Sequence, residues 1–226
     1  MRETTIGIAW LEIADPPELW AGLGFTVDAD GACVIGGVEH RLVGVSPDGP
    51  GIVGWALRGH PDPPQGDVDG LRTRWAPSHV TRPAPTHANG VTRIDHLVVR
   101  TPDTPRTTAA LETLGLRRRG HRDTNSAGEQ VDMTFFWVGD VILELAGPPR
   151  PPSDPERADQ TARFAGIAYA SADLDATVRR LGHRATTPRA AVQPGRRIAA
   201  LRPAAGSTMP MAFMSPHPGR RDAANV

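Results

Sequence analysis

The sequence predicts an α+β fold: repeated βαβββ modules whose strands form a curved, open-cup mixed sheet with the helices on its outside. Three observations predict it. Residues 92–148 read as strand, short helix, then further apolar strands, and a shortened copy of that pattern follows at 163–216. A third, weaker version fills the first 60 residues. One such unit cannot bury its sheet alone, so the repetition sets the architecture before any single residue is weighed.

In the N-terminal segment, 1–60, a strand is expected over Thr5–Leu11, and Asp15-Pro16-Pro17 offers an N-cap with proline in the first turn. Leu19 and Leu23, four apart, share a face before Gly24, and apolar stretches at 32–36, 41–45 and 52–57 supply three more strands. Residues 61–90 form a linker rich in Pro, Gly, Asp and Thr, with one short helix expected near Val68–Trp75. The module at 91–149 opens on the alternating strand 94–100. Asp103 or Thr104 caps a helix that closes at Leu114-Gly115, and strands follow at 133–137 and 141–145. Arg117-Arg118-Arg119 reads as a solvated edge. After a second proline-rich joint, the module at 161–216 has a strand at 166–169 and a helix capped by Ser171 or Asp173 and closed by Gly182. Its later strands lie at 197–201 and 211–214, and residues 217–226 form a frayed tail. Each helix is near ten residues and needs a sheet to lie on.

Composition narrows the function. Twenty-five basic residues, every one an arginine, balance twenty-five acidic ones, which gives no electrostatic case for nucleic acid or an anionic membrane. No apolar run approaches the ~20 residues that span a bilayer, and no leader pattern opens the chain, so the sequence reads as cytoplasmic. The single cysteine, Cys33, permits no internal disulfide and reads as a buried, inert thiol. There is no GxGxxG, P-loop, paired-cysteine zinc motif or GxSxG elbow.

The order of a strand bearing His96, a Pro-Asp turn, a short helix ending Leu-Gly-Leu and a last strand reading Leu-Glu-Leu resembles the vicinal oxygen chelate superfamily. Glyoxalase I, extradiol dioxygenases, methylmalonyl-CoA epimerase and the bleomycin-resistance proteins are members. The resemblance covers 92–216 well and 5–60 loosely. It implies paired modules cupped around a divalent metal (zinc, nickel, iron, manganese or magnesium), with one ligand from the first and one from the last strand of each module. Carried over by position, those sites are His96 and Glu144 in the module at 91–149, but Gly166 and Ala212 in the next, so the ligand set is incomplete. His121, His183, Gln193, Asp132 or a partner subunit would have to supply the rest.

Strand alternation independently turns His96 and Glu144 away from their apolar neighbours and into the cup. They are the candidate catalytic residues: as metal ligands in lyase, isomerase or dioxygenase-type chemistry, as a metal-free pair for general base work, or as a structural hydrogen bond only. Small residues at Gly166, Ala168, Ala170 and Ala212 leave room for an organic ligand. Met133, Phe135, Phe136, Trp137, Phe213 and Met214 are its candidate walls, half of which must face the core. Trp137, Phe135, Phe213, Arg100 and Gln193 are the residues expected to touch that ligand. An arginine aimed into the cup would clamp a carboxylate or phosphate; the competing reading for Arg100, Arg196, Arg197 and Arg202 is a salt bridge or solvated strand end. The expected partners are a small molecule and a second copy in a homodimer; the odd module needs a surface for its sheet, either its counterpart in that dimer or an edge of the main cup. The alternative to an enzyme is a metal-independent protein that binds a drug or secondary metabolite.

Overall fold

The computed structural model describes residues 5–77, 82–126 and 129–217. The tail beyond His217 lies outside the described residues. The chain is a mixed α+β protein with two sheets. In the first part, β1 (Gly7–Ile13) leads to α1 (Pro17–Gly22), then β2 (Ala32–Ile35), β3 (Val38–Leu42), β4 (Ile52–Arg58) and β5 (Thr73–Trp75), ordered β2-β3-β1-β4-β5. Next come β6 (Val91–Arg100), α2 (Thr104–Thr113), β7 (Arg117–Ser126), β8 (Glu129–Val138) and β9 (Val141–Gly147). After α3 (Pro155–Ala158) follow β10 (Arg163–Ser171), α4 (Leu174–Leu181), β11 (Arg189–Ala190), β12 (Arg197–Ala200) and β13 (Met211–Met214). Strands β6–β13 make one eight-stranded sheet, ordered β11-β12-β13-β10-β6-β9-β8-β7, in which the antiparallel pair β6–β10 joins the two modules. Among the described residues, no helix is long and apolar enough to cross a membrane.

Local chemistry explains the boundaries. Asp103 accepts the Arg106 amide (2.9 Å) to cap α2, and Asp173 accepts the Ala176 amide (3.0 Å) to cap α4. Asp15, expected as a cap, is buried instead. Its carboxylate accepts from Trp20 Nε1 (3.1 Å), Ser207 Oγ (2.7 Å) and the Thr208 amide (2.7 Å), tying the first part of the chain to the last. The helix expected near Val68–Trp75 does not form. Asp69 and Gly70 both take positive φ (46° and 85°), the chain turns back in a Val68–Leu71 bridge, and Thr73–Trp75 adds a parallel edge strand to β4. The strand expected at 41–45 begins earlier, at Val38, because Gly36 and Gly37 at positive φ make a two-residue hairpin loop.

One cluster of buried apolar residues fills the space behind the larger sheet. Leu97, Val99, Leu143, Leu145, Ile167, Tyr169 and Phe213 point to that side, each 2% exposed or less. Helix α2 covers it over β9 and α4 over β12 and β13, while the smaller sheet covers the centre, with β4 against β10 and β2 beside β6. Trp20 and Phe25 pack edge-on against Tyr169, and Trp55 against Phe164. Burial of this kind contributes on the order of 1.5–3 kcal/mol per large side chain. The odd module therefore finds the surface for its sheet within its own chain.

Candidate active site

The other face of the larger sheet is open. Along β6, Leu97 and Val99 go to the core, while half-buried His96 and Val98 and exposed Arg100 line the cup. Parallel pairing sets His96 beside Ile142 and Val98 beside Glu144. His96 and Glu144 thus share one face, one strand and one side-chain step apart, roughly 8 Å between Cα atoms from ~4.8 Å strand spacing and ~3.3 Å rise. Strand β8 adds Met133, Phe135 and Trp137, in register with Ala146, Glu144 and Ile142. Trp137 has the Arg119 guanidinium 5.1 Å from its ring centre, and Arg122 reaches the Met133 sulfur at 3.4 Å. Across the module joint, β10 offers Ala168 beside His96 and Gly166 beside Val98, and β13 offers Ala212 beside Ala168.

His96 is held by a charged relay. A register shift between Ile94 and His96 places Asp95 as the extra residue of a β-bulge, and its buried carboxylate meets His96 Nδ1 at 3.0 Å. Arg196, itself 5% exposed, grips the same carboxylate through Nη1 (3.1 Å) and Nη2 (2.6 Å) and donates to the Ser215 carbonyl. Burial alone would raise the Asp95 pKa, but the hydrogen bonds from His96 and Arg196 outweigh it and hold the group well below the usual carboxylate range. An ionised carboxylate only accepts, so Nδ1 carries the imidazole hydrogen and Nε2 is left to accept or bind. Glu144 moves the other way. Burial pushes its pKa up, against the lowering effect of His96, Arg122 and Arg100.

Of the residues expected to touch a ligand, Phe135, Trp137 and Arg100 lie on the cup face. Phe213 does not: it is fully buried against Tyr169, because its register with Ala199 and Tyr169 turns it to the core. Phe136 and Met214 are likewise buried. Gln193 is exposed in the turn between β11 and β12, where its carbonyl accepts the Arg196 amide at 3.2 Å. Arg197 pairs with Asp175 (2.5 Å), and Arg202 donates to the Ala185 carbonyl (3.1 Å). Sequence reasoning missed Asp95 and the role of Arg196. Asp95 breaks strand alternation beside the histidine, which was the available signal; its partner 101 residues away had none.

The donor set does not fit a divalent ion held by three or four protein groups. Among the described residues no group of three His, Cys, Asp or Glu side chains is placed to hold a metal ion. His121 sits between Asp123 and Asp132 (3.2 and 3.0 Å), and Asp132 alternates with the cup residue Met133, which puts that group on the helix side. His183 is exposed after α4. Gly166 is closed to any donor, since a Cβ there would meet the Pro210 carbonyl oxygen at 2.9 Å. We expect protein incubated with zinc and dialysed to retain well below one equivalent by elemental analysis; a full equivalent lost in His96→Ala would reverse this reading.

Residues 95–200 match the family described as the Glyoxalase/Bleomycin resistance protein/Dioxygenase superfamily. This part of the chain resembles the vicinal oxygen chelate superfamily. Among solved structures, a triple mutant of 4-hydroxymandelate synthase from Streptomyces coelicolor is 16% identical with a TM-score of 0.61, over 96% of this chain and 94% of that one. A xylose isomerase-like TIM barrel/4-hydroxyphenylpyruvate dioxygenase fusion protein is 12% identical with a TM-score of 0.59, over 96% of this chain and 50% of that one. Methylmalonyl-CoA epimerase from Mycobacterium tuberculosis is 20% identical over 57% of this chain and 91% of that one, with a TM-score of 0.43. The two structures with TM-scores of 0.61 and 0.59 show a shared fold alone and no reaction. No curated protein matches the chain in sequence.

Proposed function

We propose that this protein is a proton-transfer enzyme that acts on a small oxygenated organic molecule held in the cup, with His96 as general acid–base. The carrying observation is the Arg196–Asp95–His96 relay, which fixes the imidazole tautomer and aims Nε2 away from its support. A buried ion pair behind a half-exposed histidine is more than packing requires. Glu144, its pKa raised by burial, holds or receives a proton on the neighbouring strand, and Phe135 beside it excludes water. His96 Nε2 would take a proton from carbon next to a carbonyl and return it, while Asp95 stabilises the imidazolium formed between the two steps.

The test is proton–deuterium exchange in heavy water, followed by proton NMR, over a panel of 2-oxo acids and acyl thioesters. Exchange above buffer that falls about 100-fold or more in His96→Gln supports the reading. Exchange equal in the variant overturns it. A second reading, a metal-independent binding protein, is favoured by the partly exposed apolar cup residues Phe135, Trp137 and Ala212. Tight quenching of Trp137 by an aromatic metabolite that undergoes no exchange would support it.

A further inference from the structure

Beyond Arg100 the cup ends in a cleft of about 240 Å³, walled by the chain that connects the two modules. Three arginines converge there. Arg100 stands on β6, Arg163 is its direct register partner on β10, and Arg157 comes from α3 on the connector. All three are exposed, and none makes an ion pair or hydrogen bond among the described residues. The described lining holds no carboxylate; Gln130, Gln160 and Thr161 supply neutral polar groups. Two arginines set side by side across an antiparallel pair repel each other unless something negative lies between them.

The wall is built rather than draped. Arg106 on α2 donates to the Ala158 carbonyl (2.8 Å) and the Gln160 carbonyl (2.6 Å) while pairing with Asp69 (2.9 Å). The Ala162 amide bonds to the Asp69 carbonyl at 2.9 Å. These contacts fix the connector on both sides of Gln160 and so hold Arg157 over the cleft.

We infer that this cleft binds the anionic group of the ligand, a carboxylate or a phosphate ester, while the organic part runs along the sheet to His96. Guanidinium forks match both oxyanions bidentately. Val98 separates Arg100 from His96 on the same face, so the anion and the reacting carbon would lie roughly 10–13 Å apart at ~3.3 Å per residue. The substrate class is thus an organic anion whose charge is remote from its reactive carbonyl.

This inference rests on the cup being the reaction site, but its test reads binding alone. Isothermal titration calorimetry of the full chain at low ionic strength would use inorganic phosphate and glutarate as probes. Arg100→Gln and Arg163→Gln should each weaken binding at least about tenfold, as loss of a charge-assisted contact does. Arg189→Gln, which removes the same charge from edge strand β11, should leave binding unchanged. A response to phosphate alone assigns a phosphate ester, and to glutarate alone a carboxylate. No binding of either probe at millimolar concentration, or equal weakening in Arg189→Gln, overturns the inference. Binding without any exchange activity would leave the cleft standing and remove only the proton-transfer reading.

Discussion

Arg196→Leu is expected to lower the unfolding free energy by about 3–5 kcal/mol, because it strands the Asp95 carboxylate in a buried site. Asp95→Leu should cost a similar amount by stranding the guanidinium. The double variant replaces both charges with apolar groups and should recover most of the loss, since an apolar pair of similar volume is often neutral in such a position. Urea melts of the four proteins close the cycle. The same double variant should not regain exchange activity, for its imidazole has lost the group that fixes its tautomer. Stability and activity therefore separate. A double variant as unstable as the singles would show that the Asp95–Arg196 pair acts through contacts beyond its own charges.

Acid should unfold this protein early. His40 is fully buried between Trp20 and Tyr169, and burial pushes its pKa down from 6.5 to about 4. Its folded pKa is below the unfolded one, so the neutral ring's stability is fully present above pH 6.5 and is lost as pH falls toward 4. A gap of that size is worth up to about 3 kcal/mol. His87, whose pKa burial also lowers, adds to the effect in the same direction. We expect the melting temperature to fall steeply between pH 6.5 and 4 and the slope to flatten in His40→Gln. An unchanged slope in the variant would assign the acid sensitivity elsewhere. His96 lies on the opposite face of the larger sheet, which keeps this titration apart from the site.

Helices α2 and α4 and the core strands they cover were legible because the strands alternate and the helices carry Asp caps and Gly stops, signals that act over a few residues. Strand β7 was not. Its sequence Arg117–Ser126 is polar throughout, since an edge strand with little core contact needs no apolar rhythm. The placement of His96, Glu144, Phe135, Trp137 and Arg100 on one face followed from a period of two. Phe213 escaped that logic because its strand is only four residues long, too short for its neighbours to say which side is core. The relay behind His96 was invisible for a different reason: Arg196 reaches Asp95 only through the pairing of distant strands. Likewise, nothing near Arg100 announces that Arg163 stands beside it.

The carboxylate of Asp15 finds its partners 192 and 193 positions later, at Ser207 and Thr208. During synthesis, the apolar side of the first sheet is covered only once β6 and β10 have followed it, roughly 40 to 110 residues after β4. Such distant closure makes folding slow and leaves the nascent N-terminal segment open to wrong partners. The Asp15 carboxylate thus stays without these partners until Ser207 and Thr208 have been made.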